Sequence, residues 1–241
     1  MAKLVILLMP WGRVGSNMVN GIVQRSKAMK VWNEPLTGVQ TRVIGAGGTL
    51  ADVWPAQEEW LMENILTAET DIFLNVAANS VADAAAFRET VRPLAPVHLV
   101  LDRRDDLATA LSSLRTEEWV REGIAMGEQR NWSIPSGQSV NFRPNIDASK
   151  LKAAIAIIRQ GRDNIATITE GYDTARYSYE ELVSDMAGVV GDMLQRSGIP
   201  PYPFKAGTEK FGAGSLSKMV SNPQEIMDTA NELGVESELT V

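Results

Sequence analysis

The sequence predicts an α/β fold of three layers, a central parallel sheet flanked by helices, and three observations carry this. Leu4 to Met9 is an unbroken apolar run closed by Pro10, the pattern of a strand buried on both faces. Asp71 to Val76 and Val97 to Leu101 repeat that pattern. Each run is followed by a helical period, not a hairpin turn, and strands alternating with helices favour parallel pairing through right-handed crossovers.

The elements follow in chain order. Ser16 to Lys27 reads as a helix, with Ser16 near its N-cap and Met18, Ile22 and Val23 on one face. After the second strand comes an Ala-rich helix, Val81 to Val91. After the third, a helix begins near Asp105, with Leu107, Leu111 and Leu114 spaced i, i+4 and i+7. Gly123 to Pro144 is rich in Gly, Ser, Asn and Pro and reads as a long loop. Ala148 to Gln160 is helical by its Leu151, Ile155, Ile158 register, and Tyr179 to Arg196 by Leu182, Met186, Val189, Val190 and Met193. Ser197, Gly198, Pro200 and Pro201 stop that helix. A turn at Gly212 and Gly214 and a short helix after Pro223 complete the chain. With no internal repeat or linker, residues 1–241 are expected to form a single domain.

Composition narrows the chemistry. The 241 residues are 44% apolar, enough for a packed core, and no apolar run approaches the length of a membrane span. Lys3, the short strand-like run and Pro10 do not resemble a secretory signal, so a cytoplasmic location is expected. Zero Cys excludes disulfides, thiol nucleophiles and Cys-ligated metals. A single His, His98, excludes multi-histidine metal sites; it sits inside an apolar strand and reads as a satisfied core residue. The net charge of -7 argues against nucleic-acid or anionic-membrane partners but leaves room for a local basic pocket.

Three segments carry chemistry. Pro10-Trp11-Gly12-Arg13-Val14-Gly15-Ser16-Asn17 joins the first strand to the first helix. Such a turn presents N–H groups and a positive helix end to an anion, and Arg13, Ser16 and Asn17 add donors. It is neither a Walker A loop nor a dinucleotide fingerprint, and a tight turn whose glycines only satisfy backbone geometry is the alternative. In Asp102-Arg103-Arg104-Asp105-Asp106, two arginines leave the carboxyl end of a strand, and Ser112 follows Arg104 by eight residues. Surface pairing of those arginines with Asp102, Asp105 and Asp106 is the competing reading. In Trp32-Asn33-Glu34-Pro35, Glu34 precedes a Pro that holds it out of helix, as a general base or an exposed loop residue.

In this order the three segments resemble the sulfotransferases that use 3'-phosphoadenosine 5'-phosphosulfate (PAPS), the bacterial and carbohydrate-type branch in particular. Tyr179-Glu180-Glu181-Leu182, the later Gly198-Ile199-Pro200, and the tail segments Thr208-Glu209-Lys210, Ser215-Leu216 and Asn222-Pro223-Gln224-Glu225 are similar to further family motifs. Asn17 stands where a second Ser or Thr is usual, and Gly38 to Ala68 has no counterpart.

The resemblance implies a P-loop-like fold and transfer of a sulfuryl group from PAPS to a hydroxyl or amine, with PAP as product and no metal. It implies a 5'-phosphosulfate site at Gly12, Arg13, Val14, Gly15, Ser16 and Asn17. Arg104 and Ser112 would hold the 3'-phosphate, Tyr179 and Lys210 would lie near the nucleotide, Arg13 would be catalytic, and Glu34 would be the base. The acceptor implied is a sugar or small metabolite; Trp11, Trp32, Trp54, Trp60 and Trp132 are candidates to line its pocket. The oligomeric state is left open, a homodimer included. A P-loop-like small-molecule kinase and a non-catalytic nucleotide-binding protein of the same fold are the alternatives.

Overall fold

The computed structural model describes residues 2–122, 142–204 and 215–241. They divide into two compact units, Met1–Arg104 with Arg159–Phe204, and Asp105–Ile158 with Lys205–Val241.

The first unit is built on a five-stranded sheet in the order β2-β3-β1-β4-β5. Its strands are β1 (Leu4–Met9), β2 (Lys30–Asn33), β3 (Ile72–Ala77), β4 (Val97–Asp102) and β5 (Thr174–Ser178). Every pair is parallel, with Leu7 opposite both Asn75 and Leu99. β1 lies within its predicted bounds because it is apolar on both faces. Strands β2 and β5 escape the sequence reading: both lie at sheet edges, carry Lys30 and Arg176, and lack a continuous apolar run.

Alternate residues of β1 feed two cores. Val5, Leu7 and Met9 pack with Val19, Ile22 and Val23 of α1 (Ser16–Ser26). The same face receives the two helices that follow β5, which supply Leu182 and then Val190, Met193 and Leu194. Leu4, Ile6 and Leu8 pack with residues of the helices between β2 and β4 and with Ile165 and Ile168, just before β5. These helices are α2 (Pro35–Gly45), α3 (Val53–Leu61) and α4 (Ala84–Val91). Crossovers running toward the β5 edge thus use one face, and the β1 to β2 crossover uses the other, as a single handedness requires. The three-layer α/β arrangement is as the sequence predicts.

Helices α2 and α3 occupy the stretch that has no counterpart in the sequence pattern. Buried Gln57 of α3 donates to the carbonyls of Leu36 (3.2 Å) and Ser80 (2.6 Å), tying the start of α2 to the end of β3. Trp32 and Trp60 pack edge-to-face, with ring centroids 5.2 Å apart, and with Trp54 they lie against the second core. All three are part-buried and pack against this core; Trp132 lies outside the described residues.

The second unit contains α5 (Asp106–Arg121) and α9 (Pro223–Glu232); α6 (Ala148–Thr169) begins in it and ends in the first. Asp105 caps α5 by accepting from the Ala108 N–H at 2.7 Å, as its position just before the helix predicts. Asn222 bonds both backbone groups of Ile146, at 2.9 and 3.2 Å. Helix α6 runs past its predicted end at Gln160. Gly161 does not stop it, because a Cβ there would lie 2.0 Å from the Pro10 carbonyl oxygen, so the glycine serves close packing. The helix predicted over Tyr179 to Arg196 is two, α7 (Tyr179–Ser184) and α8 (Met186–Ser197). Asp185 breaks it by capping the Gly188 N–H at 2.9 Å. Gly198 ends α8 in the left-handed conformation, φ 73°, as predicted. Gly212 and Gly214 lie outside the described residues. No helix among the described residues is long and apolar enough to cross a membrane.

His98 is a core residue, 1% exposed, but not a satisfied one: neither ring nitrogen has a hydrogen-bond partner among the described residues. Its ring lies 4.5 Å from that of Tyr172, and burial depresses its pKa to about 4. The unfolded chain takes up this proton near pH 6.5 and the folded chain only near 4, so stability present above pH 6.5 is lost between those values. The expected loss is about 3 kcal/mol. Urea unfolding at pH 7.5 and 4 should show His98→Leu removing most of this dependence. An unchanged pH dependence in the variant contradicts the assignment.

Candidate functional site

The carboxyl edge of the sheet gathers the predicted segments. β1 and β3 are neighbours whose following helices, α1 and α4, go to opposite faces, which opens a crevice at their carboxyl ends. The Pro10–Asn17 segment leaves β1 there, with the Pro10 carbonyl accepting from the Asn79 N–H at 3.2 Å.

The turn is demanding. Arg13 (φ 74°) and Gly15 (φ 90°) both adopt left-handed backbone, which places α1 to start with its first-turn N–H groups under no side-chain cap. Gly15 is obligatory: a Cβ there would lie 2.9 Å from Leu182 Cδ2 and 3.4 Å from Tyr179 Cδ2. Gly12 is different, since a Cβ there would meet nothing within 4 Å among the described residues. Val14 turns its side chain into the first core, 1% exposed, leaving only its backbone for a ligand. Ser16 is buried at the first helical position, after Gly15. Asn17 is exposed, and its Oδ1 lies 3.4 Å from Asn33 Nδ2.

The β4 end supplies two arginines, of which Arg103 lies near Arg13 of this turn. Arg103 lies over the Tyr179 ring, 4.7 Å from its centroid. Its Nε is buried with no hydrogen-bond partner among the described residues. Arg13 is close enough to Arg103 and Tyr179 to feel both: burial first, then repulsion from Arg103, lowers its pKa, while Tyr179 opposes the shift. Two like charges crowded at an uncapped helix start form an electrostatic arrangement that an anion relieves.

Two of the neighbouring aspartates are engaged elsewhere. Asp102 is taken by Arg162 of α6, with Nε to Oδ2 at 2.7 Å and Nη2 to Oδ1 at 3.2 Å. Asp105 is engaged as the α5 cap. Arg104 pairs with Glu181 at 3.0 Å, its side chain 69% exposed. Glu181 also accepts from the Ser178 N–H at 2.8 Å in a capping box that starts α7. The Tyr179-Glu180-Glu181-Leu182 run therefore has four physical jobs: an aromatic face under Arg103, a contact to the Arg104 N–H, the α7 cap, and a core Leu against Gly15.

Glu34 caps the end of β2, two strand spacings, about 10 Å, from β1. It is left-handed (φ 51°, ψ 44°), and α2 starts at the next residue, Pro35. Its N–H donates to the Asn75 carbonyl at 3.0 Å. Burial alone raises its pKa. It is thus neither in a helix nor a freely exposed loop carboxylate.

The first unit brings together Arg13, Gly15, Ser16 and Tyr179, with Arg104 at the neighbouring strand end. Ser112 belongs to the second unit, on α5, 7% exposed, its carbonyl accepting from Thr116 Oγ1 at 2.8 Å. Lys210 lies outside the described residues. Arg103 was visible in the sequence as half of an Arg-Arg pair, but which arginine faces the turn depends on the strand's pleat at its last residue. Among the described residues, no group of three or more His, Asp or Glu is arranged to hold a metal ion.

No family model and no curated protein matches the sequence. Solved structures do. The chain is similar in overall fold to three sulfotransferase structures. One is the sulfotransferase domain of the curacin biosynthetic pathway, with 13% identity over 98% of this chain and 99% of that one, at a TM-score of 0.43. Another is the domain of the Synechococcus PCC 7002 olefin synthase, with 11% identity over 99% and 86%, at 0.43. The third is mouse sulfotransferase SULT7A1 complexed with PAP, with 11% identity over 84% and 62%, at 0.42. Similarity of this degree leaves the functional reading to the residues of this chain.

Proposed function

We propose that the protein transfers a sulfuryl group from PAPS to a hydroxyl acceptor, with PAP as the second product. The observation that carries this reading is the left-handed turn after β1, where Arg13 feels the charge of Arg103, with the half-buried Glu34 at the end of a strand two places away in the sheet. A phosphosulfate fits the donor set: a buried Arg103 Nε without a hydrogen-bond partner among the described residues, space that none of them fills above Gly12, and helix N–H groups with no side-chain cap.

When bound, PAPS supplies an activated sulfuryl group on a phosphate leaving group. Arg13 and the first-turn N–H groups of α1 hold the 5' anion and stabilise the charge that builds on the leaving oxygen. Glu34 takes the proton from the acceptor hydroxyl, and its raised pKa brings it nearer the operating pH for that task. The acceptor oxygen gains the sulfuryl group, and the proton stays on Glu34 until solvent removes it. Arg104 holds the 3'-phosphate; the pairing with Ser112 is an expectation of the sequence spacing. The acceptor proposed is a sugar or small hydroxylated metabolite in the cytoplasm, with neither nucleic acid nor membrane as partner.

Incubation with radiolabelled PAPS and a panel of sugars and hydroxylated metabolites should yield labelled product without added divalent metal. A protein that binds neither PAPS nor PAP overturns the reading, and magnesium-dependent ATP consumption would favour a kinase instead. Arg104→Ala should weaken PAP binding about tenfold. That is the lower end of the 1.5–3 kcal/mol typical of a charge-assisted contact, because the guanidinium is 69% exposed and shared with Glu181. Unchanged affinity by calorimetry contradicts its role.

A further inference from the structure

Four carboxamides converge beside Glu34 from three elements: Asn17 and Asn20 on α1, Asn33 on β2 and Asn75 on β3. Asn33 Oδ1 accepts from Asn20 Nδ2 and from Asn75 Nδ2, both at 2.7 Å. Asn33 Nδ2 points back toward Asn17 Oδ1 at 3.4 Å, and the Asn75 carbonyl holds the Glu34 N–H at 3.0 Å. One side chain, Asn33, therefore links the start of the anion-seeking helix to the strand that fixes Glu34.

This arrangement is costly as packing alone. Asn75 is 0% exposed in the middle of an apolar parallel strand, and Asn20 is 6% exposed on a helix face that otherwise buries Val and Ile. Asn is a poor strand former, and a buried amide is unfavourable wherever a group is left unmatched. Oδ1 of Asn20 and Oδ1 of Asn75 are so left, without partners among the described residues. Apolar side chains would fill the same space at no such cost. A second cost sits beside it. Glu34 holds a left-handed backbone that L residues avoid, directly before a Pro that pushes its neighbour toward extended conformations. Strain of this kind persists only where the surroundings over-determine it.

We propose that the carboxamide cluster is a positioning device for Glu34, with Asn33 at its centre, fixing the carboxylate's place relative to the turn that holds the anion. This rests on the reading of Glu34 as the base. The cluster touches no reacting atom; it acts through the Glu34 backbone, which the Asn75 carbonyl holds.

The test is a ¹³C-carboxyl NMR titration of Glu34, assigned with Glu34→Gln, in the full chain and in Asn33→Ala and Asn33→Asp. Loss of the Asn33 acceptor strands two buried amide donors, which draw in water. In Asn33→Ala the Glu34 midpoint should fall toward the ordinary carboxylate range, and sulfuryl transfer should slow about tenfold, with KM for PAPS and PAP affinity within twofold of wild type. Asn33→Asp retains an acceptor for Asn20 and Asn75; it should recover turnover to within a few-fold, with the Glu34 midpoint no lower than wild type. An unmoved midpoint with unchanged turnover in Asn33→Ala overturns the proposal, as does equal loss of kcat and PAP affinity. If Asn33→Ala does not fold, Asn33→Ser takes its place under the same outcomes. A wild-type chain that neither binds PAP nor transfers sulfate would sink the sulfotransferase reading, while the titration would still decide the positioning claim.

Discussion

Arg13→Ala should cut turnover by about 10²–10³-fold, the loss expected when one preorganised donor to a developing negative charge is removed. Burial, and then repulsion from Arg103, lower the pKa of the Arg13 guanidinium. Ala inherits the same left-handed backbone, φ 74°, so no new strain arises there. The expected signature is a collapse of turnover together with weakened PAP binding. Arg13→Lys keeps the charge but not the planar fork, and should fall between the two. Near-wild-type turnover in Arg13→Ala would remove this residue from the mechanism.

Glu34→Gln should lower turnover by about 10²–10⁴-fold, the usual worth of a positioned general base, and leave PAP affinity nearly intact. The pH profile carries the diagnostic. Burial lifts the Glu34 pKa, and a base works only when deprotonated, so kcat/KM should fall on the acid side below a midpoint above the ordinary carboxylate range. In Glu34→Gln that limb should vanish, leaving a low rate that is flat through this region. A variant that keeps both the limb and the rate would show that another group takes the proton.

The sequence reveals the centre of the fold better than its edges, for physical reasons. β1, β3 and β4 are buried on both faces and announce themselves as apolar runs. β2 and β5 lie at edges, and their half-exposed residues give no such run. Asp185 looks like an ordinary polar position in a helical period until its side chain is seen to cap α8. The candidate site divides in the same way. The turn after β1 and the Arg pair are contiguous in sequence, so spacing finds them. The role of Tyr179 beneath Arg103, the theft of Asp102 by Arg162, and the Asn17–Asn20–Asn33–Asn75 cluster join residues far apart in the chain, and only folding brings them together. Glu34 was legible as a residue before Pro but not as a strained, half-buried one. No sequence pattern for left-handed backbone exists outside Gly, Asn and Asp that would have shown it.

Titration of the protein with PAP in a calorimeter tests the central claim most directly, because it needs no knowledge of the acceptor. Saturable binding at one site per chain, lost or strongly weakened in Arg13→Ala and preserved in Glu34→Gln, is the predicted result. An absence of binding by the wild-type chain, or binding indifferent to Arg13, would contradict the assignment of the turn after β1 to the sulfuryl donor.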